Sequence, residues 1–328
     1  MRDLRTSFAV ATVLALTFAP GTSAQTRPAA SPEIPPPVDS APLAAIADEV
    51  AAGRPAPQDF ALTWTRCDAM KAQGSKQLMA FTVTYDPAQV AGRPLTLYWR
   101  VVANSGAAPA ATVLQGSSAV PAASPATSPA RVTRGFIVPA GQYQLIVVAR
   151  EAAPAGGPAK AAALTQAVTV PDFWNGDLTT SSVILSDRLD PVPTPATRPT
   201  ALERPYVMGG LELVPAWDAA FTRKSEISPF FLVYNAKLDA ANKPDVLIEY
   251  RFFGQGPSGE VHANTAEAQT LNARTLPPQF DPATYQLQGG QSFPLTSFTP
   301  GRYRLEITIT DRVAKTSIVR DIPFSITP

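Results

Sequence analysis

Two residue types that do most of the chemistry in enzymes are nearly missing. The 328 residues include one cysteine, Cys67, and one histidine, His262. A single thiol forms no intrachain disulfide, and a Cys/His structural zinc site lacks its ligands. Ser-His-Asp or Cys-His catalysis would rest on His262 alone, and no G-x-S-x-G elbow is present. Charge is scarce as well: charged residues make up 16% of the chain, the net charge is +1 and no basic block occurs, so no nucleic-acid footprint is expected. No G-x-x-x-x-G-K loop occurs, which leaves P-loop nucleotide binding without support.

What is present is proline, 35 residues of it, alongside 45% hydrophobic residues. Helix-built proteins tolerate so much proline poorly, because it removes a backbone donor and clashes with the preceding turn. Short strands joined by proline-rich loops accept it, and 328 residues suffice for about two domains with their own cores.

The chain opens like a secretory leader. Arg2 and Arg5 precede an apolar run at residues 8–19, and Thr22-Ser23-Ala24 offers an A-x-A-like cleavage site. The run is shorter than the roughly 20 apolar residues that cross a bilayer. A signal peptide over residues 1–24 is therefore expected, with the mature chain periplasmic or extracellular, bacterial in character, and without a membrane span after cleavage. Residues 25–59 are rich in Pro and Ala and read as a mostly disordered linker. Within it, residues 43–50 space their apolar side chains as a helix does, too short to stand alone.

Residues 60–190 read as a first β-sandwich. Phe81-Thr-Val83-Thr-Tyr85, Leu95-Thr-Leu97-Tyr-Trp99 and Gly141-Gln-Tyr143-Gln-Leu145 alternate with the period of half-buried strands. Between Asn104 and Ala130 the Ala/Ser/Pro-rich chain suggests a floppy excursion with at most one short strand near Val113. Ser182-Val-Ile-Leu185 is a further strand candidate. Residues 191–205 are a proline-dense, semi-rigid spacer expected to hold two domains apart. Residues 206–328 then repeat the order, with Phe230-Phe-Leu232-Val-Tyr234, Val246-Leu-Ile248-Glu-Tyr250 and Gly301-Arg-Tyr303-Arg-Leu305. Three motifs in register argue for a tandem repeat.

The fold class that follows is all-β, two tandem immunoglobulin-like β-sandwich domains joined by a Pro-rich linker. Inward-facing residues are Phe81, Val83, Tyr85, Leu97, Trp99, Tyr143, Leu145 and Val147 in the first. In the second they are Phe230, Leu232, Tyr234, Ile248, Tyr250, Tyr303, Leu305 and Ile307. A Tyr opening a late strand after a Gly turn resembles the tyrosine corner of immunoglobulin-like sandwiches.

Residues 271–280 (Leu-Asn-Ala-Arg-Thr-Leu-Pro-Pro-Gln-Phe) and 293–311, the latter running through Phe-Thr-Pro-Gly-Arg-Tyr-Arg-Leu-Glu-Ile, carry a family resemblance. They resemble the C-terminal β-sandwich region of secreted acidobacterial proteins of the von Willebrand factor A-type / GWxTD-motif group, without the VWA domain itself. The resemblance spans residues 206–328, and more loosely 60–190. It implies a fold and an exported setting rather than an activity.

Candidate sites each have a plainer reading. His262 lies in a polar loop or edge, as surface histidines do, and Cys67 reads as a small half-buried thiol. Asp177-Leu-Thr-Thr-Ser181 loosely matches the D-x-S-x-S metal motif, but a β-prone run follows it where that motif needs a helix. Asp172, Asn175 and Asp177 offer the hard oxygens calcium takes, and a turn accounts for Asn175-Gly176 equally well. Trp64, Trp174 and Trp217 are either a sugar-stacking platform or packing aromatics. No residue is assigned a catalytic, cofactor-binding or metal role, and no cofactor is expected. The expected function is that of a non-enzymatic, exported interaction or spacer module, meeting an envelope or extracellular protein partner through sandwich surfaces or sheet edges. The alternative is a ligand-binding protein, either a carbohydrate-binding module or a tandem-sandwich periplasmic chaperone. A carboxylate-based hydrolase ranks third.

Overall fold

A helix docked on a sheet opens the structure, a computed structural model that describes residues 40–104, 111–127, 129–153, 157–192, 198–208 and 210–328. The expected signal peptide and the first part of the linker, residues 25–39, lie outside the described residues. Helix α1 (Ala41–Ala51) starts with a proline in its first turn, where the missing N–H costs nothing. It buries Leu43 and Ala47 on Tyr98, Val102, Ile146, Val148 and Ala163, so the short helical pattern is held by tertiary packing.

The first half contains β1 (Leu62–Lys71), β2 (Lys76–Tyr85), β3 (Leu95–Ala103), β4 (Thr112–Val120), β5 (Ala130–Pro139), β6 (Gly141–Glu151) and β7 (Ala161–Val170). They form two antiparallel sheets, β1-β2-β5 and β4-β3-β6-β7. All eight side chains expected to face inward here lie in the core between the sheets. Alternation fixes this because only one face of each strand meets that core.

Strand β4 is a correction. The stretch read as a floppy excursion holds a nine-residue strand paired with β3. It lacks an apolar period because it covers one large ring: a Cβ on Gly116 would stand 2.5 Å from Trp99 Cζ2. Small residues, with Ser117 and Ser118 buried, let the strand close over the indole.

The second half contributes β8 (Thr179–Thr180), β9 (Ile184–Pro191), β10 (Val207–Met208), β11 (Leu211–Pro215), β12 (Ala220–Thr222) and β13 (Glu226–Tyr234). It continues with β14 (Val246–Gly256), β15 (Gly259–Thr265), β16 (Gln269–Leu271), β17 (Leu287–Gly289), β18 (Phe293–Pro294), β19 (Gly301–Asp311) and β20 (Thr316–Thr327). One sheet runs β10-β11-β9-β13-β17, with β8 and β18 also on β13. The other runs β12-β20-β19-β14-β15, with β16 on β14. Strand β12 lies parallel to β20, whereas the other pairings are antiparallel. Ile248, Tyr250, Leu305 and Ile307 face the core between these sheets, and Tyr303 packs at its margin.

Strand β13 reverses its expected faces. Ile227, Phe231 and Val233 enter the second core, while Tyr234 joins the first core with Leu232 against it, and Phe230 packs in a cluster between the halves. The run Phe230-Phe-Leu-Val-Tyr234 is apolar on both sides because both sides are covered, and a two-sided strand gives no phase to read. Aligned on burial, Phe231 rather than Phe230 corresponds to Phe81.

The halves are in contact, not held apart. Strand β9, anticipated as an extra strand of the first half, pairs with β13 and β11. Within the proline-dense stretch, helix α2 (Arg198–Glu203) packs Leu202 beside Gly135 of β5. Ala80, Ile184, Tyr206 and Leu213 form a small core of their own between the halves. The chain is thus all-β, with several sheets facing one another across apolar cores. Among the described residues no helix is long and apolar enough to cross a membrane.

Candidate functional site

The outer face of β1 and β2 carries polar residues where it meets the second half. A bulge after Trp64 shifts the register, so that Cys67 and Ala69 point into the first core while Arg66 and Asp68 point out of it. Asp68 is 3% exposed. Its Oδ1 accepts from Arg66 Nη2 at 2.6 Å and its Oδ2 from the Tyr206 hydroxyl at 2.6 Å. Burial, then the Asp68 carboxylate, drives the Tyr206 phenol far above the usual tyrosine range. Burial also works to lower the Arg66 guanidinium, but Asp68 outweighs it and the net direction is up.

Around this centre, side chains join strand to strand, those of Ser182, Tyr234 and Lys71 across the two halves and those of Ser181 and Arg320 within the second. Ser182 Oγ accepts from the Ala69 amide at 2.9 Å, and Ser181 Oγ from that of Leu232 at 2.9 Å. The Tyr234 hydroxyl accepts from the Lys71 amide at 3.0 Å, while Lys71 Nζ donates to Asn235 Oδ1 at 3.0 Å and lies 4.1 Å from the Trp174 ring centre. Burial holds the Lys71 ammonium below its ordinary value, opposed by Asp172. Arg320 donates to Thr180 Oγ1 at 2.9 Å and to Thr179 Oγ1 at 3.3 Å.

A second feature is the seam between β1 and β7, one edge strand from each sheet of the first half. Two depressions follow one another along it. One of ≈ 800 Å³ lies by Leu62, Thr63, Leu164 and Thr165; the next, of ≈ 440 Å³, is lined by Trp64, Cys67, Met79, Gln166 and Val168. The seam is closed at one end by a bridge between Gln58 and Ala162 and at the other by Ser182 on Ala69.

The residues singled out from sequence are dispersed. His262 sits exposed on edge strand β15, its Nε2 2.8 Å from Thr265 Oγ1 and its ring edge-on to Phe253. Cys67 lines the seam with its thiol pushed up to about 12, by burial first and then by Asp68, so it is protonated at neutral pH. In the Asp172–Asp177 turn, Asp172 Oδ1 accepts from the Trp174 amide at 2.8 Å and Asn175 Oδ1 from that of Asp177 at 3.0 Å. In the D-x-S-x-S-like run, the Thr179 and Thr180 hydroxyl oxygens accept from Arg320 and that of Ser181 accepts from the Leu232 amide of β13. No group of three or more His, Cys, Asp or Glu side chains placed to hold a metal occurs among the described residues. The tryptophans occupy different clusters: Trp64 stacks on Phe81, Trp217 packs edge-on to Tyr206, and Trp174 is 42% exposed. Sequence reasoning missed Arg66, Asp68 and Tyr206; the only local sign was the charge of Arg66 and Asp68 inside strand β1, and Tyr206, in a turn, gave none.

No family model and no curated protein matches the chain. Among solved structures, it is similar to α-2-macroglobulin from Escherichia coli in its trypsin-activated form, at 14% identity and a TM-score of 0.24, over 83% of this chain and 17% of that one. Salmonella α-2-macroglobulin reacted with methylamine is similar at 15% identity and a TM-score of 0.21, over 82% and 17%. The chain thus spans 17% of either protein's length, and likeness at this level carries no functional content.

Proposed function

We propose that this chain is an exported, non-enzymatic interaction or spacer module of the bacterial cell envelope. In this reading it is built from two tandem immunoglobulin-like sandwiches and meets a protein partner through sheet edges. The strand orders β1-β2-β5 facing β4-β3-β6-β7, and β9-β13-β17 facing β20-β19-β14-β15, support the repeated fold. So do two matching tyrosines. The Tyr143 hydroxyl donates to the Pro139 carbonyl at 3.1 Å and that of Tyr303 to the Thr299 carbonyl at 2.8 Å, each four residues upstream.

The observation that carries the functional reading is where the buried polar chemistry lies. Arg66, Asp68 and Tyr206, with Ser182 and Tyr234, bind one half to the other. Fixing two sandwiches relative to each other serves a protein that presents surfaces at a defined spacing. Edge strand β15, exposed along nearly its whole length with Val261 half exposed, is one such surface.

The test is affinity capture from envelope extract with purified chain lacking residues 1–24, compared with a Val261→Pro variant and with the chain after mild heat unfolding. A defined partner, lost on unfolding, is the expected result. Cleavage of a polysaccharide panel by the purified chain, with no partner retained, would overturn the reading.

A further inference from the structure

The chain passes from the first half to the second between β7 and β8, and contacts from both halves hold the turn there. Trp174 Nε1 donates to the Lys76 carbonyl of β2 at 3.1 Å, and Lys71 Nζ of β1 lies over the Trp174 ring. From the other side Asn235, just past the end of β13, donates through Nδ2 to the Phe173 carbonyl at 3.1 Å and the Asp177 carbonyl at 2.8 Å. Between these anchors stand Asn175 and Gly176, both exposed. No other Asn-Gly step occurs in the sequence.

We infer that Asn175 modifies itself: the Gly176 nitrogen displaces ammonia from the Asn175 side chain, and the turn is rebuilt as aspartate or isoaspartate. The nucleophile is unshielded. Gly176 has a φ of +91°, a Cβ there would meet nothing within 4 Å, and its amide donates to no described residue. Lacking a side chain, it takes that left-handed conformation without strain. The electrophile is prepared as well, since Asn175 Oδ1 accepts from the Asp177 amide at 3.0 Å. This bond closes a turn that folds the carboxamide back towards the Gly176 nitrogen. Its donor also lies where negative charge develops on Oδ1 as the nitrogen attacks. Both reactants belong to one turn, so no encounter between molecules is needed.

The reaction balances without any co-reactant except solvent water. A bond forms between the Gly176 nitrogen and Asn175 Cγ, the Cγ–Nδ2 bond breaks, and ammonia leaves with the amide proton. The resulting succinimide is opened by water at either carbonyl. Opening at Cγ gives aspartate; opening at the main-chain carbonyl gives isoaspartate, whose main chain is longer by a carbon. The longer chain lies between Phe173 and Asp177, the two carbonyls that Asn235 holds, so this product should loosen the junction of the halves. The reaction needs no partner and stands whether or not the interaction-module reading does.

The test is to hold the purified full chain for weeks at mildly alkaline pH and map its peptides by mass spectrometry. The readouts are the mass gained when OH replaces NH2 and the separate elution of the isoaspartyl peptide. Asn242 and Asn264, exposed but followed by Lys243 and Thr265, serve as internal references. Asn175 should convert at least about tenfold faster than either, and within about tenfold of a synthetic peptide of residues 172–178. Gly176→Ala, whose methyl group shields the nitrogen, should slow conversion about tenfold. The internal references need no variant, so a misfolded Gly176→Ala leaves the test intact. The Lys71 amide is held by the Tyr234 hydroxyl and the Trp174 amide by Asp172. In the isoaspartyl fraction, hydrogen exchange at both should quicken about tenfold while β19 and β20 keep theirs. An Asn175 that stays intact in the folded chain while the peptide converts would overturn the proposal, because the turn would then protect it. Conversion with exchange unchanged at both amides would overturn its effect on the junction.

Discussion

The Tyr206 hydroxyl donates to Asp68 Oδ2 at 2.6 Å across 138 residues of chain, at the buried meeting of the two halves. Asp68 also takes Arg66, so one carboxylate satisfies two donors from opposite directions. Removing the carboxylate should therefore cost more than removing the hydroxyl. Asp68→Ala leaves the Arg66 charge half-buried without its partner and is expected to lower stability by about 3–5 kcal/mol. Tyr206→Phe strands one acceptor and is expected to cost about 1–3 kcal/mol. Urea unfolding of both single variants and the double variant measures this, and costs that simply add would deny the coupling.

The same phenol gives a pH signature. Below the ordinary tyrosine value, about 10, folded and unfolded chains both keep the proton, so Tyr206 contributes no slope. Above it the unfolded chain releases the proton while the folded chain holds it, because burial drives the folded value far up. The folded state then binds more protons and stability falls as pH rises, by about 1.4 kcal/mol per unit for this group. Tyr234, pushed up to about 12 by burial, adds the same sign between pH values of about 10 and 12. In Tyr206→Phe the decline should be shallower by one tyrosine's share, and an unchanged slope would deny the burial.

Strand β4 passes over the indole of Trp99 with no room for a methyl group. A Cβ at position 116 would stand 2.5 Å and 2.7 Å from two ring atoms, and Trp99 is itself 1% exposed at the core centre. Gly116→Ala should cost about 1–3 kcal/mol by overpacking. Thermal unfolding reads the loss, and Gly210→Ala, where a Cβ meets nothing within 4 Å, is the control.

These residues show what could be read from the sequence. Phe81, Val83 and Tyr85 were legible because they alternate with Thr82 and Thr84, so the apolar period shows even though Ala80 and Thr82 are buried on the other face. Phe230, Leu232 and Tyr234 carry an equally strong apolar signal, yet their phase was hidden because β13 is covered on both faces. Strand β4 was illegible for the opposite reason, its task being to stay small over Trp99. The Tyr143 and Tyr303 turns were legible, since a Gly, a Tyr and alternation sit within five residues. The Asp68–Tyr206 pair joins distant segments, and no local pattern announces such a contact.

Gln77 is fully buried on β2, and neither its Oε1 nor its Nε2 has a protein partner among the described residues. It shares the inward side of the strand with Met79 and Phe81, where the core is otherwise apolar. Taking an amide out of water without replacing its hydrogen bonds is unfavourable, whereas an apolar side chain of like size escapes that cost. Gln77→Met preserves the length and flexibility of the side chain and removes both polar atoms. It should raise stability by about 1–2 kcal/mol, against the usual direction of core substitutions. Urea midpoints at constant slope give the sign directly. A loss of stability would mean that the Gln77 amide is satisfied in the folded chain.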